Sequence, residues 1–157
     1  MRITKDEYFM NIADAVAVRS TCVRRQIGAV IVVKGRIVST GYNGPPRGFP
    51  HCADIGCLRN EQNIPSGEQQ QICRAVHAEQ NAIIQAAGHG ADLEGAVLYC
   101  GFYPCIICTK MIINAGISRV VYKERYPNEL GDEMFKLANV NIHQLNEKCW
   151  CGKEFGS

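Results

Sequence analysis

Two short motifs constrain this chain more than anything else in it: His77-Ala78-Glu79 and, downstream, Pro104-Cys105-Ile106-Ile107-Cys108. One imidazole and two thiolates are good zinc ligands. Three protein ligands leave the fourth tetrahedral position to water, which is the arrangement of a catalytic site. Any fold that serves this set must bring two separate segments to one point. Cys105 and Cys108, three apart at the start of a predicted helix, share a face, and the helix N-terminus favours their thiolate forms. Glu79 is the natural proton carrier, close to the metal but not bound to it. On an ideal helix, positions 77 and 79 point about 200° apart. The two converge only if His77 sits at the helix entrance with non-helical backbone angles. Taken singly, the pieces say less: a CxxC in a βα turn also serves redox pairs, and a lone histidine is often a buried core residue.

The surrounding pattern predicts the elements that carry these motifs. Thr4 and Glu7 form a capping box ahead of Phe9, Ile12, Ala13 and Val16, so 4–19 reads as an amphipathic helix. IGAVIVV (27–33) suits a buried strand, and Lys34-Gly35 turns it into a second strand over 36–40. Residues 41–72 are Gly/Pro-rich and polar, a long loop that needs an anchor. A helix is predicted from about His77 to Ala87, a strand at 96–100, and a helix opened by Pro104 and closed by Gly116. A strand at 119–122, a helix at 128–138 and a strand at 140–145 complete the series. This order favours a three-layer α/β/α sandwich on a five-stranded mixed sheet. The first strand pair is expected to be antiparallel and the later strands parallel. With no repeat or boundary, 1–157 reads as one domain, with a core of about 4–145 and a C-terminal tail, 146–157.

Composition narrows the setting. Apolar residues make up 46% and charged residues 20%, enough for a core and against disorder. The formal charge of +2 argues against a dominant polyelectrolyte surface for nucleic acid. No apolar run approaches the roughly 18 residues of a membrane span, and the N-terminus lacks a signal-peptide core. A cytoplasmic location is therefore expected. Nine cysteines in such a chain are better read as metal ligands or catalytic groups than as disulfides.

H-x-E followed by P-C-x-x-C is the signature of zinc deaminases. The chain resembles the cytidine deaminase-like superfamily, and within it the deoxycytidylate (dCMP) deaminases, including the bacterial ComE-operon type. The resemblance rests on STCVRR (20–25) leading into IGAVIV, on GYNGPPRGFPHC (41–52), and on HAEQNA (77–82) with YPCIIC (103–108). It implies hydrolysis of dCMP to dUMP and ammonia at a catalytic Zn²⁺, with Glu79 moving the protons. It further implies that the Ala78 amide holds the pyrimidine carbonyl, that Asn43 contacts the sugar and that Tyr126 lies near the substrate. Arg25 is a weaker candidate for the phosphate. The loop carrying Gly44, Arg47 and Gly48 matches a region linked to dCTP and dTTP effectors, often within a hexamer.

Cys22, Cys52, Cys57 and Cys73 remain once the catalytic pair is assigned. Four thiolates would make a closed structural zinc site pinning the long loop, with His51 the substitute ligand. Some relatives carry a second zinc near matching positions. The alternative is that some of these thiols are small buried residues. Cys100 reads as core, and Cys100-Gly101-Phe102 departs from the Thr-His pair common in relatives, which touches the pocket wall. His89 and His143 read as structural or exposed, and the Cys149/Cys151 tail carries no assigned role. Rival readings are a deaminase of the same fold acting on another base, nucleoside or tRNA, a non-catalytic zinc module, and a redox CxxC protein.

Overall fold

The computed structural model describes residues 1–145, so the tail with Cys149 and Cys151 lies outside the described residues. The five strands are β1 (Gly28–Val33), β2 (Arg36–Tyr42), β3 (Val97–Phe102), β4 (Arg119–Glu124) and β5 (Asn141–Gln144), in the order β2-β1-β3-β4-β5. β1 runs antiparallel to both β2 and β3, while β3, β4 and β5 are mutually parallel. The sheet is therefore mixed, as expected. Lys34 (φ 50°) and Gly35 (φ 76°) make the tight hairpin turn, whose right-handed twist needs two positive φ angles.

The unbroken apolar run of β1 follows from its position, because both faces of the strand are covered. Ala29 and Ile31 point into one core, with α4 (Ala78–Gly88), α5 (Ile106–Asn114) and Phe135 of α6 (Glu129–Leu137). Val30 and Val32 point into the other, against Phe9, Met10 and Ala13 of α1 (Lys5–Ala17). Helices on both sides of one sheet give the expected α/β sandwich. Two glycines allow the closest approaches between backbones. A Cβ on Gly28 would lie 2.0 Å from the Ala13 carbonyl oxygen, and one on Gly41 would lie 2.3 Å from that of Ala78. The second contact seats the start of α4 directly on β2.

Besides shifts of one or two residues at element ends, two features differ from the expectation. The long loop is not featureless: it winds through α2 (Cys52–Ile55), α3 (Leu58–Glu61) and a 3-10 turn at Gln70–Ile72. A two-residue bridge ties it down, with Gly44 N donating to Val76 O at 3.1 Å and Val76 N to Gly44 O at 2.7 Å. Pro104 does not take the first helical position. Cys105 caps α5 instead, its sulfur accepting the Cys108 N–H at 3.5 Å, while the Pro104 carbonyl accepts a hydrogen bond from Asn128 Nδ2. Among the described residues, no helix is long and apolar enough to cross a membrane.

Candidate active site

The mouths of α4 and α5 open beside one another because both helices pack on the same face of the sheet. His77 is the N-cap of α4, with φ −72° and ψ 159°. This extended geometry is the entrance that the H-x-E spacing requires. It is held by a bond from His77 N to Gln80 Oε1 at 2.7 Å. Cys105 caps α5 with similar angles, φ −68° and ψ 168°. The two segments converge: His77 Nδ1 lies 3.5 Å from Cys105 Sγ and 3.4 Å from Cys108 Sγ.

A tetrahedral zinc with ordinary Zn–S and Zn–N bonds places its S and N ligands about 3.6 Å apart, so this set fits the ion without rearrangement. Among the described residues, it is the one group of three potential ligands whose atoms all lie within 4.8 Å of one another.

The three donors share protons among themselves. Bonds from Cys108 and His77 pull the Cys105 thiol down to about 4 despite its burial. Burial lowers the proton affinity of His77, but bonds to Cys105 and Cys73 outweigh it and push the imidazole up to about 10. The Cys105 bond and burial both drive the Cys108 thiol upward. Protons held this way are those a bound metal displaces. Glu79, on the first turn of α4, is only 5% exposed. Burial raises its proton affinity, opposed by the nearby His77. A buried carboxyl beside the ligand set is placed to take and return a proton.

A cavity opens over this cluster and is bounded by Asn43, Ala78, Glu79, Tyr126 and Arg25. Asn43 is buried and anchors the chain locally. Its Oδ1 accepts from Ser20 Oγ (2.5 Å) and Ile27 N (2.8 Å), and its Nδ2 donates to Arg25 O (2.8 Å). One amide N–H is left over for a ligand. Arg25 lies over the Phe102 ring at 4.1 Å and pairs with Glu124 at 3.6 Å. Phe102 in turn stacks on Tyr126, with centroids 6.3 Å apart. This wall occupies the place of the Thr-His departure, and its stacking was not legible from the motif.

Tyr126 is set by its neighbours. Arg125 bonds Asp132 at 2.7 Å, Asn128 caps α6, and Gly67 lies so close that a Cβ there would meet the ring at 2.8 Å.

The remaining expected residues divide. Cys22, Cys52, Cys57 and Cys73 all line the same cavity. No three of their sulfurs, with or without His51, fall within the 4.8 Å that describes the first set. Cys73 lies within electrostatic reach of the His77 ring. His51 is exposed and bonds Thr21 Oγ1 at 3.2 Å. Arg47 and Gly48 are exposed and lie off the cavity wall, whereas Gly44 tethers the segment leading into His77. Cys100 is fully buried, and His89 and His143 are exposed.

Residues 3–124 match the cytidine and deoxycytidylate deaminase zinc-binding region. The chain is 41% identical over 145 residues to ComE operon protein 2 of Bacillus subtilis (strain 168), covering 92% of this chain and 72% of that protein. It is 43% identical over 122 residues to the deoxycytidylate deaminase of Mycobacterium phage D29, covering 74% of this chain and 92% of that one. Its fold is similar to the crystal structure of dCMP deaminase from the cyanophage S-TIM5 in complex with dCMP and dUMP. The TM-score is 0.73 and the identity 29%, over 92% of this chain and 99% of that one.

Proposed function

The chain belongs to the cytidine and deoxycytidylate deaminase family, and from that premise we propose that it hydrolyses dCMP to dUMP and ammonia. The observation that carries this reading is Glu79, buried beside a three-atom ligand set of zinc dimensions. The reaction forms a C4–O bond to water and breaks the C4–N bond of the cytosine. Zinc, when bound by His77, Cys105 and Cys108, supplies a Lewis acid that makes water reactive at neutral pH. Glu79 takes one proton from the water and delivers it to N3, then takes the second from the new C4 hydroxyl and delivers it to the departing amine. One carboxyl suffices, because each proton it accepts is returned later in the same cycle.

Other residues orient the substrate. The Ala78 N–H, in the first turn of α4, has no intrahelical acceptor and is free to hold the pyrimidine carbonyl. The spare N–H of Asn43 meets a sugar hydroxyl. Phe102 and Tyr126 form an aromatic wall against the nucleoside. A phosphate is accommodated because Arg24, Arg25, Arg59 and Arg74 line the cavity, where Glu79 is the one acid among the lining residues.

Finer features belong to the same reading. The cysteines of the 22–73 region hold a second, structural zinc once the loop closes around it. The Gly44–Gly48 loop takes dCTP or dTTP in a homo-oligomer, a hexamer by family resemblance. The enzyme serves pyrimidine nucleotide metabolism in the cytoplasm.

The test is ammonia release from dCMP, dCTP, deoxycytidine, guanine and tRNA, alongside zinc content. Preference for dCMP is expected, and activity confined to another substrate sinks the reading. Glu79→Gln is expected to keep its zinc and lose about 10²–10⁴-fold in kcat. Unchanged kcat removes Glu79 from the mechanism.

A further inference from the structure

Arg59 carries a charge that no acidic partner balances among the described residues. It lies on the single turn α3 and is 7% exposed. Its Nη2 donates to the Pro65 carbonyl at 3.1 Å, its Nε is buried without a partner, and among the described residues it forms no ion pair. A buried guanidinium left this way is costly, because it has given up water without gaining an anion.

The other arginines of the cavity are differently placed. Arg25 already has Glu124 and the Phe102 ring. Arg24 is spent on Asn60 Oδ1 at 2.8 Å and Ile64 O at 2.9 Å, and Arg74 donates to Gly56 O at 3.0 Å. Arg59 alone among the four is buried, and it stands within electrostatic reach of Tyr126 and Cys73. Its position is also braced: Ile64 N bonds back to Arg59 O at 2.8 Å, closing the turn that carries Pro65 to Gly67 against Tyr126. A pre-placed, desolvated guanidinium beside the nucleoside wall suits a phosphate dianion, which takes forked N–H donors strongly.

We propose that Arg59 is the residue that makes this site select a nucleoside monophosphate over the free nucleoside. The proposal rests on the dCMP reading above. Arg59 does no chemistry. It offers the balancing charge that the substrate's phosphate supplies on binding, and a nucleoside leaves it unbalanced.

The experiment compares kcat/KM for dCMP and for deoxycytidine in the zinc-loaded wild type, R59Q and R59K, without added effector. R59Q is expected to lower kcat/KM for dCMP by about 10–100-fold, mainly through KM, as loss of a charged hydrogen-bond donor does. Its rate on deoxycytidine is expected to stay within about twofold, since that substrate makes no such contact. R59K keeps the charge but not the fork, so its dCMP preference falls between those of R59Q and the wild type. If R59Q does not fold, R59K decides by the same ratio. Equal losses on both substrates mean that Arg59 merely braces the Pro65 turn, and they overturn the proposal, as does an unchanged ratio. A wild type that does not prefer dCMP overturns the dCMP reading itself, before any variant is compared.

Discussion

The two regions that meet at the cavity are built on different principles. His77, Glu79, Cys105 and Cys108 stand on the first turns of α4 and α5, and the apolar interiors of those helices are buried on the sheet. The segment from Asn43 to Cys73 has almost no core of its own. Cys52, Ile64 and the buried Arg59 are its anchors beyond Asn43 and Gly44, and polar tethers supply the rest. The candidate ligand set therefore sits on rigid elements, while much of the cavity wall sits on a segment held by hydrogen bonds. Catalytic geometry must hold to a fraction of an ångström, whereas a substrate wall can adjust as it closes.

That contrast can be broken most directly at the metal set. Cys108→Ala should drop zinc content and take activity to background while leaving the melting temperature of the metal-free protein within a few degrees of the metal-free wild type. An apo-variant that unfolds would show that the centre depends on its metal for structure, erasing the difference between the regions. The next largest effect is on the polar side. Asn43→Ala removes an amide that accepts from Ser20 and Ile27 and donates to Arg25, leaving buried groups unpaired. It should cost about 3 kcal/mol in chemical denaturation. A loss near zero would mean that water replaces the amide and that the tethers do not hold the segment.

Gly67→Ala probes where the two regions touch. Gly67 has φ 87°, so a side chain there is strained by about 1–3 kcal/mol, and its Cβ presses on Tyr126. KM for dCMP should rise several-fold with kcat nearly unchanged. A fall in kcat alone would place Tyr126 in the chemistry rather than in binding.

The smallest effect lies far from both regions and serves as a control. Asp6 receives two bonds from Arg119, at 3.0 and 2.7 Å, and these hold its carboxyl below the ordinary value of 3.8. A carboxyl depressed on folding stabilises the protein above its unfolded pKa, and that stabilisation is lost as pH falls through the folded one. Asp6→Asn should therefore cost about 1 kcal/mol at pH 7 and progressively less as pH falls below the ordinary carboxyl value, with activity untouched. A pH-independent difference would assign the effect to packing rather than to charge.

Much of this architecture is legible in the chain. The capping box of Thr4, the unbroken apolar run of β1 and the Lys34-Gly35 turn each encode a local conformation, and the structure realises them. The ligand residues were legible because metal chemistry restricts residue type and spacing together. Three things were not. Pro104 reads as a first helical residue, yet the Cys105 sulfur takes the capping role and shifts the helix start to Ile106. The nearness of Cys73 to His77 is another, because its neighbours in space differ from its neighbours in sequence. Arg59 gives no signal at all, since an arginine in a polar stretch looks like any solvated charge until its burial is known.

Sequence by itself determined the candidate donor set, the acid that stands beside it and the order of elements, because these depend on residue identity and short spacing. Only the tertiary structure decided that His77 and Glu79 converge. An ideal helix would point them apart, and it is the seating of α4 on β2 through Gly41, with His77 left in extended geometry at its mouth, that brings them together. The same holds for the unbalanced charge of Arg59: burial and missing partners are properties of the packed molecule, and no single stretch of the chain contains them.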